Sequence, residues 1–237
     1  MRLVVLDHVY SQMDDPKIQT LFAKYVAMKL RGYRAHYPFG TLSVDTSDLI
    51  STHTMLCFEN GKNLEPIWGY RSVTLSRCEM HRLTFPIVSA VSHSPSHLRV
   101  VQKCIDSARR AGKEICYDSS ITFDPEVRKN LELKQIVTDA AKAYHKPFHE
   151  EKGHSNIIVG GVTRFKMNRT FDEMGYLPFE ENGLVLPPIK IFQLFDEEVQ
   201  LFVLGKFADL TEYVTKYRSL WDNRIEFMPS DLARAAA

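Results

Sequence analysis

The sequence lacks most of the features that sort proteins into special classes. Its four cysteines, Cys57, Cys78, Cys104 and Cys116, are widely scattered with no CxxC pair. Four free thiols in a reducing compartment is the simplest reading. Charge of one sign is not in excess: 30 Lys and Arg face 29 Asp and Glu, a formal charge of +1. Neither nucleic acid nor a membrane surface is therefore expected as a main partner. No apolar run approaches transmembrane length, and the short apolar start is broken by Asp7, unlike a secretory signal. A cytoplasmic protein without an integral membrane segment is the expectation. Repeats and low-complexity stretches are lacking too. What is present is an ordinary globular composition, 44% hydrophobic and 25% charged over 237 residues. That is enough chain to bury a full core, expected as one domain over residues 1–234, with the terminal Ala235–Ala237 set aside.

Periodicity predicts the elements. Residues 3–10 read as a strand, and 17–31 as a helix with a broad apolar face after the carboxylates and Pro of Met13–Pro16. The Arg31–Gly40 segment is aromatic and basic and reads as a loop or short helix. Thr41–Ser51 reads as a polar connection carrying Asp45 and Asp48. Thr52–Phe58 and Pro66–Leu75 form a hairpin about the Asn60-Gly61 turn signal. Phe85–Val91 reads as a short extended piece, with Pro86 favouring a sheet edge. Ser94 to Arg110 is a helix ended by Gly112. Ile115–Phe123 is a β-branched and aromatic strand, Asp124-Pro125-Glu126 a turn and helix start, and Leu133–Tyr144 an amphipathic helix. Lys146–His154 reads as a polar loop and Ser155–Val162 as a continuous, buried strand. A helix over Arg164–Met174 stopped by Gly175, a hairpin over Ile189–Lys206 and a last helix over Leu210–Trp221 complete a mixed α/β chain. The junction after Phe123 aims helix N–H groups past a strand end, an arrangement suited to phosphate.

This order, with three short motifs, resembles the GCN5-related N-acetyltransferase superfamily (GNAT). The motifs are Asn60-Gly61 followed by Trp68-Gly69-Tyr70-Arg71, then Phe123-Asp-Pro-Glu-Val-Arg128, then Phe171-Asp-Glu-Met-Gly-Tyr176. A narrower resemblance is to the acyl-homoserine lactone and long-chain N-acyl amino acid synthases, carried by Arg34, Tyr37, Asp45, Asp48 and Arg71. The resemblance implies a mixed, twisted sheet with flanking helices. It also implies transfer of an acyl group from acyl-CoA or an acyl carrier protein to a small amine, with a homodimer left open. Two departures stand out. The family's phosphate loop carries glycines where this chain has Leu131 and Leu133, which would hinder close backbone approach. The family's Tyr acid aligns with Phe171, which has no proton to give.

Attack of an amine on a thioester needs a held donor, an N–H for the oxyanion and a way to remove the ammonium proton. By the resemblance, the donor would lie on Ile121, Phe123, Arg128, Lys129, Asn130 and Leu131. The candidate catalytic set is Asp118, His53, Arg71 and Asp48, with Asp45 beside them. Each has a plainer alternative: solvated loop carboxylates for Asp45 and Asp48, a surface or hydrogen-bonded imidazole for His53. Asp118, on a strand that should be buried, needs a partner, and Arg71 is the expected one. No metal site is expected: His145, His149 and His154 match no common zinc spacing and fall in the polar loop. Cys116 is expected to be buried and structural. The competing reading is a catalytically degenerate member of the fold that binds a ligand or partner.

Overall fold

The computed structural model describes residues 1–37, 44–61, 63–191, 194 and 196–229. Parts of the Arg31–Gly40 and Thr41–Ser51 segments, Lys62, part of the Ile189–Lys206 hairpin and the terminal alanines lie outside them. In chain order the first elements are β1 (Arg2–Asp7), α1 (Pro16–Arg34), α2 (Thr46–Ile50), β2 (Thr52–Asn60) and β3 (Asn63–Thr74). Then come α3 (Leu75–Met80), α4 (Pro86–Val91), α5 (Pro95–Ala111), β4 (Glu114–Phe123), α6 (Pro125–Lys129) and α7 (Leu131–Glu151). Next are β5 (His154–Val162), α8 (Met167–Glu173), β6 (Tyr176–Pro178), β7 (Glu180–Glu181) and β8 (Leu184–Val185). The chain ends with β9 (Ile189–Ile191), β10 (Glu197–Leu204), α9 (Thr211–Asp222) and β11 (Ile225–Phe227). None of the described helices is long and apolar enough to cross a membrane.

Two compact units result: residues 1–73, 120–144 and 212–237, and residues 74–119 and 145–211. In the first, the strand order is β11-β1-β2-β3-β4. β1 pairs antiparallel with β2 and parallel with β11, and β2 and β3 form the expected hairpin with an irregularity at Leu56 and Cys57. Strand alternation sorts the side chains between two faces. Val4, Leu6, Met55 and Cys57 pack with Ile18, Leu21, Tyr25 and Met28 of α1. Leu3, Leu56, Trp68 and Tyr70 pack with Val137, Ala140 and Tyr144 of α7. α1 starts where the sequence directs it, with Asp15 accepting from the Lys17 N–H and Pro16 in the first turn, where its missing N–H is no loss.

In the second unit the order is β4-β5-β10-β6, with β9 also on β10. β4 and β5 run parallel, Glu114 to Asp118 against His154 to Val159. β5 is antiparallel to β10, and its Ile157, Ile158 and Val159 are buried as expected. Three local expectations change. Phe85–Val91 is not an extended edge: its last six residues form α4, with Pro86 as the first helical residue, a position proline fits as well as it fits a strand edge. Thr46–Ile50, expected as connection, is a short helix closed by a reciprocal Asp45 and Asp48 capping box. α7 runs on to Glu151 through Pro147, so the segment read as a polar loop is largely helix. The reason is the continued stripe: buried Phe148 lies four residues after buried Tyr144, and burial outweighs the one backbone bond that Pro147 removes.

Candidate functional site

Four charged side chains converge in the first unit. Arg71 on β3 forks onto Asp45, Nη1 to Oδ1 at 2.7 Å and Nη2 to Oδ2 at 2.9 Å. Its Nη1 also donates to Asp48 Oδ2 at 2.7 Å. Lys29 of α1 donates to the other Asp48 oxygen at 2.7 Å. Lys29 and Asp48 are 0% and 1% exposed at their side chains, whereas Asp45 is 56% exposed. Two cations and two carboxylates balance, and nearly every polar position is used, as a buried ion cluster requires. Burial pushes the Asp45 carboxyl up, but the Arg71 bonds and charge and the Ser47 N–H outweigh it, leaving it at about 2. For Asp48 burial likewise opposes Arg71 and Lys29, and the carboxyl ends below its ordinary value.

His53 on β2 lies beneath this cluster, fully buried. Its Nε2–H donates to the Asp48 carbonyl oxygen at 2.6 Å. Burial, with Lys29 and Arg71 close by, holds the imidazole at about 4, so it is neutral near pH 7. Its Nδ1 and the Tyr25 hydroxyl have no hydrogen-bond partner among the described residues, and the two rings meet edge-on at 5.0 Å.

The depressed acidic groups set a pH dependence. A folded value of about 2 against an ordinary 3.8 for Asp45 means stability that is fully present above about pH 4 and lost as the pH falls toward 2. The gap in urea midpoint between the wild type and Asp45→Asn is expected to close over that window. A gap independent of pH would contradict the ion pair.

β4 carries the second feature. Its pairing with β5 ends at Asp118, while β4 itself continues to Phe123. Ser120, just past that end, has φ 58°, a left-handed conformation costly for a non-glycine residue and often found at functional positions. Ile121 and Phe123 pack partly buried on the Trp68 and Tyr144 cluster. Beyond them the expected loop is instead the short helix α6, containing Arg128 and Lys129. Arg128 stands over the Phe123 ring at 5.9 Å, and Lys129 pairs with Glu126 at 2.6 Å. Asn130 accepts from the Leu133 N–H at 3.0 Å, capping α7, and Leu131 is 79% exposed.

The third feature lies in the second unit. Asp118, 3% exposed, accepts from His149 Nε2 at 3.0 Å and lies 3.7 Å from His145 Nε2. Cys116 Sγ donates to its other oxygen at 3.1 Å. His149 Nδ1 is 2.9 Å from His154 Nδ1, and His145 Nε2 is 2.9 Å from the Tyr176 hydroxyl. Burial would raise the Asp118 carboxyl, but the two histidines hold it well below the usual carboxylate range.

No protein-family model matches the sequence, and no curated protein matches it. Solved structures do match. BjaI, a CoA-dependent acyl-homoserine lactone synthase with SAM and isopentyl-CoA, superposes at TM-score 0.52 and 13% identity, over 99% of this chain and 98% of that one. MesI, a CoA-dependent acyl-homoserine lactone synthase, gives 0.50 and 14%, over 95% and 98%. The chain shares the fold of these two synthases. FeeM, an N-acyl amino acid synthase from uncultured soil microbes, superposes at 0.48 and 14%, over 92% and 94%. Within this fold, the expected site residues separate into groups. Arg71, Asp48 and His53 come together with Asp45; Asp48 is buried rather than a solvated loop carboxylate, whereas Asp45 is a largely exposed carboxylate at the start of α2 that is paired with Arg71. Asp118, for which Arg71 was the expected partner, sits on His149 and His145, while Arg71 forks onto Asp45 and Asp48. Ile121, Phe123 and Arg128 are half-buried in one stretch from the end of β4 into α6, whereas Lys129, Asn130 and Leu131 are exposed. Lys29 was missed, although a lysine on the apolar stripe of α1 signals a buried charge in need of a partner. Lys146–His154 was read as a loop for its polar residues, but α7 runs through it, and four-residue spacing puts His145 and His149 on one helix face.

Proposed function

We propose that this chain is an N-acyltransferase, taking an acyl group from an acyl thioester to a small amine, both units belonging to one catalytic domain. Acyl-CoA is the donor of choice and an acyl-carrier-protein thioester the alternative. The observation that carries the reading is β4, which outruns its parallel partner after Asp118 and turns through left-handed Ser120 within a GNAT-like fold. Past that point β5 no longer covers this side of β4, and a backbone N–H near Ile121 would face the thioester oxyanion. Phe123 and Arg128 line the direction a donor would take, Arg128 offering a cation to its phosphates. Asp45, the exposed member of the ion cluster, suits an acceptor ammonium. With its low pKa it binds cations rather than taking protons at neutral pH. Arg71, Asp48 and His53 position Asp45 from below. The bound ammonium first loses a proton to water; the neutral amine then attacks the carbonyl carbon, the C–N bond forms, the C–S bond breaks, the thiolate departs and the second nitrogen proton passes to water.

The replacement of a glycine loop by α6, with Asn130 already capping α7, favours a second reading in which a donor or partner is bound without turnover. Incubation with acyl-CoAs of graded chain length and a panel of amines, following free thiol, separates the two. Amine-dependent thiol release, reduced at least about tenfold in Asp45→Ala, is the expected result. A thermal shift with acyl-CoA but no thiol release would support the binding module, and neither response would overturn both.

A further inference from the structure

The histidine cluster of the second unit is not needed for acyl transfer as proposed, yet it is the densest set of donor atoms in the described residues. We propose that it binds one divalent metal ion of the zinc class on Asp118 Oδ2, His145 Nε2 and His149 Nε2. One ligand atom from each of the three residues lies within 4.8 Å of the other two, and all three residues are buried. The two separations resolved in detail are 3.0 Å and 3.7 Å, from Asp118 Oδ2 to His149 Nε2 and to His145 Nε2. Ligands about 2.0–2.2 Å from a tetrahedral or octahedral ion lie roughly 2.9–3.5 Å apart, so an ion fits with a slight turn of the His145 ring. The local structure explains the convergence. His145 and His149 are four residues apart on α7 and share a face, and Asp118 on β4 meets that face.

The surrounding groups are those a metal site requires. A ligating histidine needs an acceptor for its other ring N–H, and His149 Nδ1 has His154 Nδ1 at 2.9 Å. On binding, the His149 proton moves from Nε2 to Nδ1, and the proton on His154 moves from Nδ1 to Nε2, so no net proton is lost. The Tyr176 hydroxyl, 2.9 Å from His145 Nε2, supplies an oxygen at the fourth position. Side-chain exposures of 0–8% at the three ligands make the site closed, the property of structural rather than hydrolytic zinc. Its role is to fasten the end of α7, from His145 onward, to β4. Cys116, His149 and His154 form a second donor triple that shares His149, so only one of the two can hold the ion. The Asp118 triple is favoured because its three residues are all buried, whereas His154 is half-buried.

The test uses the full chain purified without a polyhistidine tag, stripped with chelator and titrated with Zn2+ and with Co2+. About one equivalent of either is expected to bind, with a rise in melting temperature and visible Co2+ bands lacking thiolate charge transfer. His149→Asn and His145→Gln should abolish binding, His154→Asn should weaken it about 10–100-fold, and Cys116→Ser should leave it intact. Wild-type protein that takes up neither metal and shows no thermal shift overturns the proposal whatever the variants do. Loss of the ion in Cys116→Ser, or thiolate bands in the wild type, overturns the assignment to Asp118.

Discussion

Asp48→Ala is expected to destabilise the protein by about 3–5 kcal/mol, the usual cost of removing one partner from a buried ion pair. Asp48 is the only carboxylate in the cluster that touches both cations, with Lys29 Nζ and Arg71 Nη1 each at 2.7 Å. Its removal leaves the Lys29 ammonium, 0% exposed, without the charge that opposes its desolvation. Burial already pulls the Lys29 pKa below its ordinary value, and Asp48 is the largest influence in the other direction. The same variant removes half the capping box that shapes α2. Removing both members together should do less harm, since no orphan charge remains. Lys29→Met with Asp48→Asn is expected to lose clearly less than the sum of the single changes. Urea unfolding of the four proteins measures this, and an Asp48→Ala cost below about 1 kcal/mol would show the cluster to be solvated.

Gly175→Ala is expected to be as damaging, for a backbone reason. Gly175 has φ 92°, and a Cβ there would fall on the carbonyl oxygen of Lys206 and crowd the Ala208 nitrogen. The neighbouring bonds hold the backbone in place: the Gly205 N–H donates to the Gly175 carbonyl at 3.2 Å and the Ala208 N–H to Met174 at 3.3 Å. A left-handed conformation alone costs alanine roughly 1–2 kcal/mol. Contact with a fixed carbonyl cannot be relieved by a rotamer change, so a total loss of about 3–5 kcal/mol is expected. Gly183→Ala is the control. It has φ 79° but nothing within 4 Å of the added carbon, so only the conformational part should appear. Equal melting temperatures for the two variants would refute the argument from contact.

Much of this was readable along the chain wherever the physics is local. Gly175 was expected to stop a helix, and it does so two residues past Glu173. The Asn60-Gly61 turn and the alternation on either side specified the β2 and β3 hairpin. Phe85–Val91 and Lys146–His154 were both expected to be non-helical, and each holds a proline that the helix accommodates. Proline restricts its own φ and removes one donor, but whether a helix begins there, or continues through, depends on what its neighbours bury. Phe148, 1% exposed, carries α7 past Pro147. α6 was hidden because a five-residue helix leaves almost no periodic trace.

The sequence by itself determined the long strands and helices, most of their caps and stops, and the mixed α/β class. It also identified which residues had chemistry worth following. Those properties depend on side-chain spacing and φ preferences within a few residues. Only the tertiary structure decided the partners. It set Arg71 on Asp45 and Asp48, gave Asp118 a histidine 31 residues away and ended the β4 pairing with β5 at Asp118. The physical reason is that charge pairing and metal-like convergence act through space at about 3 Å. Which side chains reach that distance is set by strand register and helix rotation, and these are fixed by packing of the whole core rather than by the residues that meet.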